Sequence, residues 1–253
     1  MKLFRKIVNS MLISYRKVPV LTDEQGYKDC SVVANRYFAT MNNIRLGEFV
    51  SIPQVKDLLH FINSNSRRVL DGSRRKKILD VGCGSGAYSL LFLGEEAPLK
   101  EFIYAGCDVD DAVIGAAQKA FPDANFFLAR MEDMPEVQDN AYDVVLCSGA
   151  LQYVLGGWKN ALSEMIRVSR KHILIARLPS SKFHDTFYVR QTVMSRFGYE
   201  VRNFAVINRE EFEQECESMG VRICDRDCTA EIYRIPAVSE KIVSYQFLLE
   251  KPG

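Results

Sequence analysis

The chain has 253 residues, 47% of them hydrophobic, and a formal net charge of +1. That length and apolar content allow one large domain, or a domain with an appendage, and exclude a disordered chain. The near-neutral charge gives no general attraction to polyanions, so nucleic acid is not an expected partner. No segment approaches the roughly 18 apolar residues of a membrane span. Seven cysteines (Cys30, Cys83, Cys107, Cys147, Cys216, Cys224 and Cys228) are odd in number and scattered, which argues for a reducing, cytoplasmic protein over a disulfide framework. Cys216, Cys224 and Cys228 have no histidine nearby and match no zinc spacing, so no metal is expected.

In chain order, residues 1–17 place Phe4, Val8, Met11, Leu12 and Tyr15 at helical spacing among Lys2, Arg5, Lys6, Arg16 and Lys17. Arg5 and Lys6 interrupt what would be the apolar part of a signal peptide. A basic amphipathic helix there either packs on its own domain or makes a peripheral contact with an anionic membrane, at the inner face. Thr22 and Asp23 offer a cap for a helix through EQGYKDCSVVANRYFATM, and Pro53 suits the first turn of PQVKDLLHFINS. Residues 1–70 are therefore expected to form an N-terminal helical cap that shapes the substrate region. DGSRRKK marks a boundary, and residues 71–253 form the second unit. Arg67, Arg68, Arg74, Arg75, Lys76 and Lys77 read as a solvated linker or, less well supported, a nucleic-acid tract, because no aromatic residues interleave them.

Beyond the boundary the pattern changes. KKILDV (76–81), FIYAGCD (102–108), NFFLAR (125–130), YDVVLCS (142–148) and HILIAR (172–177) are short apolar runs separated by the helical stretches GAYSLLFL, DAVIGAAQKAF and GWKNALSEMIRVS. Apolar strands alternating with helices predict a parallel sheet buried on both faces, in a doubly wound α/β domain. NREEFEQECESMG then predicts a helix, and VRICDRDCTAEIYRI and KIVSYQFLLEK predict two strands.

Gly82, Gly84 and Gly86 follow the first apolar strand, where a doubly wound sheet binds its ligands. A dinucleotide loop wants G-x-G-x-x-G, but Ala87 follows Gly86 here. Asp80 before the loop would repel a pyrophosphate and suits a zwitterionic or cationic ligand. Asp108, closing the second strand, can accept both ribose hydroxyls of an adenosine cofactor, or can cap the helix that follows.

ILDVGCGSG, GCDVD, the MEDMP turn and YDVVLCSGALQYV occur in the order of the motifs of class I S-adenosylmethionine-dependent methyltransferases, which residues 75–180 resemble. The resemblance implies a mostly parallel seven-stranded sheet with an antiparallel last strand, and S-adenosyl-L-methionine as cofactor. It implies that Gly82, Gly84 and Gly86 line the methionine part, with Asp80 near its amino group. Asp108 would hold the ribose hydroxyls, Met131 and Glu132 would flank the adenine, and Ser148 would lie beside the cofactor. Many relatives carry an acid where this chain has Arg130; Glu132 or Asp133 would compensate. SGALQYV, ARLPSS and INREEFEQECESMG are further similar to a little-characterised bacterial family of methyltransferases that often accompany surface-polysaccharide genes, which implies sugar-containing acceptors.

Transfer to an alcohol gains from a general base. His172 begins a strand, at the wrong end of the sheet, and reads as structural; His60 lies on a predicted cap helix. His184, after strand five with Asp185 beside it, is the expected base, with an exposed loop residue as the plainer reading. Tyr153 and Gln152 are placed to touch substrate or cofactor, or to pack against the next helix. Arg177 suits an acidic sugar or phosphate, or a local acid. The function these readings imply is O-methylation of a sugar-containing or other small-molecule acceptor. A non-catalytic cofactor-binding partner of a glycan-synthesis enzyme and an NAD-dependent oxidoreductase are the alternatives.

Overall fold

The computed structural model describes residues 12–18, 44–70, 75–195 and 198–252. The helix expected over residues 22–41, Cys30, and most of the basic boundary at 71–74 lie outside the described residues.

The apolar runs form β2 (Lys76–Val81), β3 (Phe102–Asp108), β4 (Asn125–Leu128), β5 (Tyr142–Ser148) and β6 (Ser169–Ser181). Neighbours among them pair in parallel. The last-third strands, β9 (Arg222–Tyr233) and β10 (Ile242–Glu250), add to the β6 edge, with β10 antiparallel to both β6 and β9. The order is β9-β10-β6-β5-β2-β3-β4, the seven-stranded, mostly parallel α/β sheet with one reversed strand that the motifs imply. The order turns back on itself at β2 and β5, and this switch point places the functional edge.

Each continuous apolar run divides between two cores, because successive side chains leave opposite faces of a strand. Leu79, Val81, Val145, Cys147, Ile173 and Ile175 face α5 (Trp158–Val168) and α6 (Arg209–Ser218). Ile78, Val144, Leu146 and Leu174 face the other way, onto α2 (Pro53–Ser64) through Val55, Leu58, Phe61 and Ile62. The short helices α1 (Leu46–Phe49) and α3 (Ser66–Val69) add Phe49 and Val69 to the same core. Residues 44–70 thus cover a face of the sheet, and His60 points outward from α2. GAYSLLFL, expected as a helix, makes only a 3-10 turn at Ala87–Leu91, whereas DAVIGAAQKAF makes α4 (Asp111–Ala120).

Among the described residues, the cover over the functional edge is β-structure; residues 1–11 and 19–43 of the expected helical cap lie outside them. β6 runs on past the sheet, and β7 (Phe187–Ser195) and β8 (Gly198–Asn208) follow as an antiparallel hairpin. β8 rejoins β6 in parallel at Ser180 and Ser181. The outer strand is β1 (Leu12–Val18), antiparallel to β7 from Leu12↔Met194 to Val18↔Tyr188. The amphipathic helix expected over residues 1–17 therefore cannot include 12–17; residues 1–11 lie outside the described residues. In a seven-residue stretch such as LISYRKV, Ile13, Tyr15 and Lys17 also alternate, and pairing with β7 selects the strand. A third core, of Phe187, Val189, Phe204, Val206, Tyr233, Ile235 and Ile242, lies under this cover.

Among the described residues, no helix is long and apolar enough to cross a membrane. Phe212 is fully buried, 4.7 Å from the Phe247 ring and 6.0 Å from Trp158, and joins α6 to β10 and α5. Phe212→Ala is expected to destabilise the fold by about 3–5 kcal/mol, measured as a lower urea midpoint with an unchanged slope.

Candidate active site

At the end of β2 the chain enters the left-handed region three times, with φ of 75° at Gly82, 55° at Gly84 and 74° at Gly86. A side chain at Gly82 would place its Cβ 2.4 Å from Ala150 Cβ, and one at Gly86 would stand 2.5 Å from the Phe126 ring. Both glycines are required by conformation and by space. The Cys107 carbonyl accepts from the Gly82 and Cys83 N–H groups at 2.8 and 2.9 Å. Asp108 completes the loop: one carboxylate oxygen accepts from Gly84 N–H at 3.0 Å and the other from Asp110 N–H at 3.2 Å. Asp110, not Asp108, caps α4 by accepting from Ala112 and Val113 N–H. The capping alternative for Asp108 is thereby removed.

Two buried carboxylates meet here. Burial raises the Asp80 carboxyl, the Tyr104 hydroxyl that donates to it at 2.8 Å opposes this, and the nearby charge of Asp108 adds to it, which together bring it to about 7. Asp108 is also raised, by burial, against the N–H bonds from Gly84 and Asp110. This donor set fits hydroxyls and a cation and disfavours a pyrophosphate. Met131 is buried, with its methyl 3.3 Å from where a Gly82 Cβ would stand. Glu132 pairs with Arg130 at 3.3 Å, across a turn in which Asp133 N–H donates to the Arg130 carbonyl. Ser148 ends β5 beside β2, its Oγ 3.0 Å from the Tyr88 hydroxyl. The eight expected cofactor residues thus converge on one edge, with Tyr88 and Tyr104 as unforeseen partners. Tyr88 lies two positions after Gly86, and that proximity was its only signal in the sequence.

The expected catalytic residues separate. Tyr153 lies in the 3-10 segment Leu151–Gly157, with its ring 6.5 Å from Phe204 of the cover. Buried Gln152 is in the same turn. His184 Nδ1 is 2.9 Å from Glu240 Oε1, and its backbone N–H donates to Ser181 Oγ at 2.8 Å. Partial burial opposes the Glu240 charge, but donors from Ser181, His184, Lys182 and Phe183 outweigh it and hold the carboxyl at about 2. Ala176 is the register partner of Ser148, and Ser181 is five residues further along β6. At about 3.3 Å per residue that is some 16 Å along the strand. His184 lies three residues beyond the end of β6, against Glu240, and Asp185 is exposed beside it. β6 itself extends to Ser181, four residues beyond the Arg177 end expected for this strand. His172, buried near the opposite edge and 3.9 Å from Glu250, is away from the site.

The strand order with its reversed β10 is the fold that class I S-adenosylmethionine-dependent methyltransferases share. Residues 78–172 match the family described as "Methyltransferase domain". Over 127 residues it is 30% identical to the ubiquinone biosynthesis O-methyltransferase of Neisseria meningitidis serogroup C (strain 053442), covering 44% of this chain and 53% of that one. The chain spans about half the length of the curated relatives it matches. Its fold is similar to that of the 1,6-didemethyltoxoflavin-N1-methyltransferase of Burkholderia thailandensis, solved with 1,6-didemethyltoxoflavin and S-adenosylhomocysteine (TM-score 0.57, 13% identity, 95% of each chain). It is equally similar to that of the [4+2]-cyclase SpnF (TM-score 0.59, 15% identity, 94% of this chain and 99% of that one).

Asp80 sets two pH dependences. Its ionised form suits an ammonium-bearing ligand, so S-adenosylhomocysteine is expected to bind about tenfold more tightly at pH 8 than at pH 6 by calorimetry, and Asp80→Asn to weaken binding and flatten that dependence. For stability the sign is opposite. The folded carboxyl keeps its proton to about pH 7, whereas an unfolded one loses it near 3.9. Stability therefore falls as pH rises through that window, and Asp80→Asn is expected to raise Tm more at pH 8 than at pH 5. Gly82→Ala, with no room for its methyl, is expected to abolish S-adenosylhomocysteine binding and lower Tm in the same titration and melting measurements.

Proposed function

We propose that this chain transfers the methyl group of S-adenosylmethionine to an oxygen of a small-molecule acceptor, sugar-containing acceptors included. The observation that carries the reading is the cradle: three left-handed glycines held by Asp108, with Asp80 buried beneath them. When bound, the cofactor supplies a methyl group already activated on a sulfonium. Asp108 would hold the ribose hydroxyls and Asp80 the cationic methionine end. The glycines let the backbone approach without intervening side chains. Met131 would pack on the adenine, while Ser148 and Tyr88 line the side facing the cover.

The acceptor's part is positioning. In an in-line displacement, holding the oxygen against the methyl supplies much of the rate. The β1-β7-β8 cover supports this by walling the edge with Tyr15, Phe204 and Tyr153, which keeps water from the reacting atoms. Tyr153 is the expected residue that faces the acceptor.

Because a [4+2]-cyclase shares this fold, binding alone does not decide between methyl transfer and another use of the scaffold. The test measures S-adenosylhomocysteine release with catechol, glucose and glucuronate as trial acceptors, after calorimetric binding of the cofactor. Release above the acceptor-free rate is expected with at least one of them. Absence of cofactor binding would sink the reading; binding without release on any hydroxyl acceptor would favour the non-catalytic alternative. His184→Ala is expected to keep turnover within about threefold, since loss of a general base costs roughly 10²–10⁴-fold.

A further inference from the structure

Opposite β10, β6 departs from regular pairing once. Ile175 pairs with Phe247 and Leu178 with Tyr245, so two residues of β6 face one of β10. Arg177 sits in this bulge with φ 56°, a conformation that costs an arginine and not a glycine. Bulges re-aim side chains, and here the guanidinium is turned toward the functional edge. Its Nη1 lies 3.0 Å from where a Gly149 side chain would begin, so the bare backbone after Ser148 provides its seat. The Tyr88 hydroxyl, bonded to Ser148, is a further neighbour.

From this arrangement we propose that Arg177 anchors a carboxylate on the acceptor, a specificity assignment that rests on the methyl-transfer reading. A guanidinium has five N–H donors. Nε donates to Glu231 Oε2 at 3.3 Å and Nη2 to Glu231 Oε1 at 3.2 Å. Both bonds are longer than the usual 2.7–2.9 Å of a charge-assisted pair. The two side chains keep 29% and 20% of their surface exposed although they lie under the cover. The loose pair leaves donors for a second oxyanion, and Glu231 balances the buried charge until one arrives. A monoanion suits a site that already holds Glu231 better than a phosphate dianion does.

Aromatic side chains of the third core lie nearby, Tyr233 among them. Tyr15 is 5.9 Å from Tyr233 and 6.4 Å from Phe204, and Phe204 is 5.6 Å from Tyr233. The Tyr153 ring is 6.5 Å from Phe204. Aromatic faces beside a fork of donors recognise a ring bearing a carboxylate, either an arylcarboxylate or an acidic sugar.

The test uses the full chain saturated with S-adenosylhomocysteine and compares benzoate with benzyl alcohol and glucuronate with glucose by NMR titration. At least one anion is expected to bind about tenfold more tightly than its neutral partner, and which pair responds distinguishes the aromatic from the sugar source. Arg177→Gln is expected to erase that preference. Glu231→Gln, which releases the guanidinium, is expected to strengthen anion binding severalfold, and it carries the test if the arginine variant does not fold. Equal binding of anions and neutral partners, a preference surviving in Arg177→Gln, or no gain in Glu231→Gln would overturn the assignment. S-adenosylhomocysteine binding is measured first and separately, so its failure removes the methyl-transfer reading, and the anion titrations are then repeated on the protein alone.

Discussion

The bond from Gly84 N–H to the Asp108 carboxylate is the constraint on which the site depends. Three left-handed residues within five positions give up much chain freedom, and glycine has the most to lose. One side chain, at the end of the neighbouring strand, offsets that loss. Its second oxygen takes Asp110 N–H, and Asp110 in turn begins α4. The loop, the second strand and the following helix are thus joined through a single buried carboxylate. Burial makes its charge costly and so leaves it ready for donors from outside the chain.

Around this centre the molecule separates two tasks. The seven-stranded sheet carries the residues expected to meet the cofactor, all of them at its carboxyl edge. The β1-β7-β8 cover carries aromatic side chains that face the same edge from above. β6 belongs to both, and its bulge at Arg177 lies where the strand leaves one for the other.

Much of the sheet was legible in the sequence because parallel strands buried on both faces must be apolar throughout. The structure then divides neighbours such as Leu79 and Ile78 between opposite cores, as the pleat requires. The cradle was legible too, since Gly82, Gly84 and Asp108 act through backbone conformation and close spacing. The hairpin was not. FYVRQTVMS carries Arg190, Gln191 and Thr192 in its middle, and its apolar residues acquire meaning only against β8 and the distant β1. LISYRKV fitted both helical and alternating periods. The Glu240 partner of His184 was not legible either, because it lies 56 residues further along the chain.

The outermost strand has a consequence for how the molecule is put together. Tyr15 reaches the Tyr233 ring only when β1 pairs with β7, a contact between segments 170 or more residues apart. Closing so large a loop is slow compared with the neighbouring pairings of β2, β3 and β4. The cofactor cradle can therefore be complete while the acceptor wall is still open. Folding reaches donor-binding competence first, and acceptor selectivity arrives with the last strand to dock.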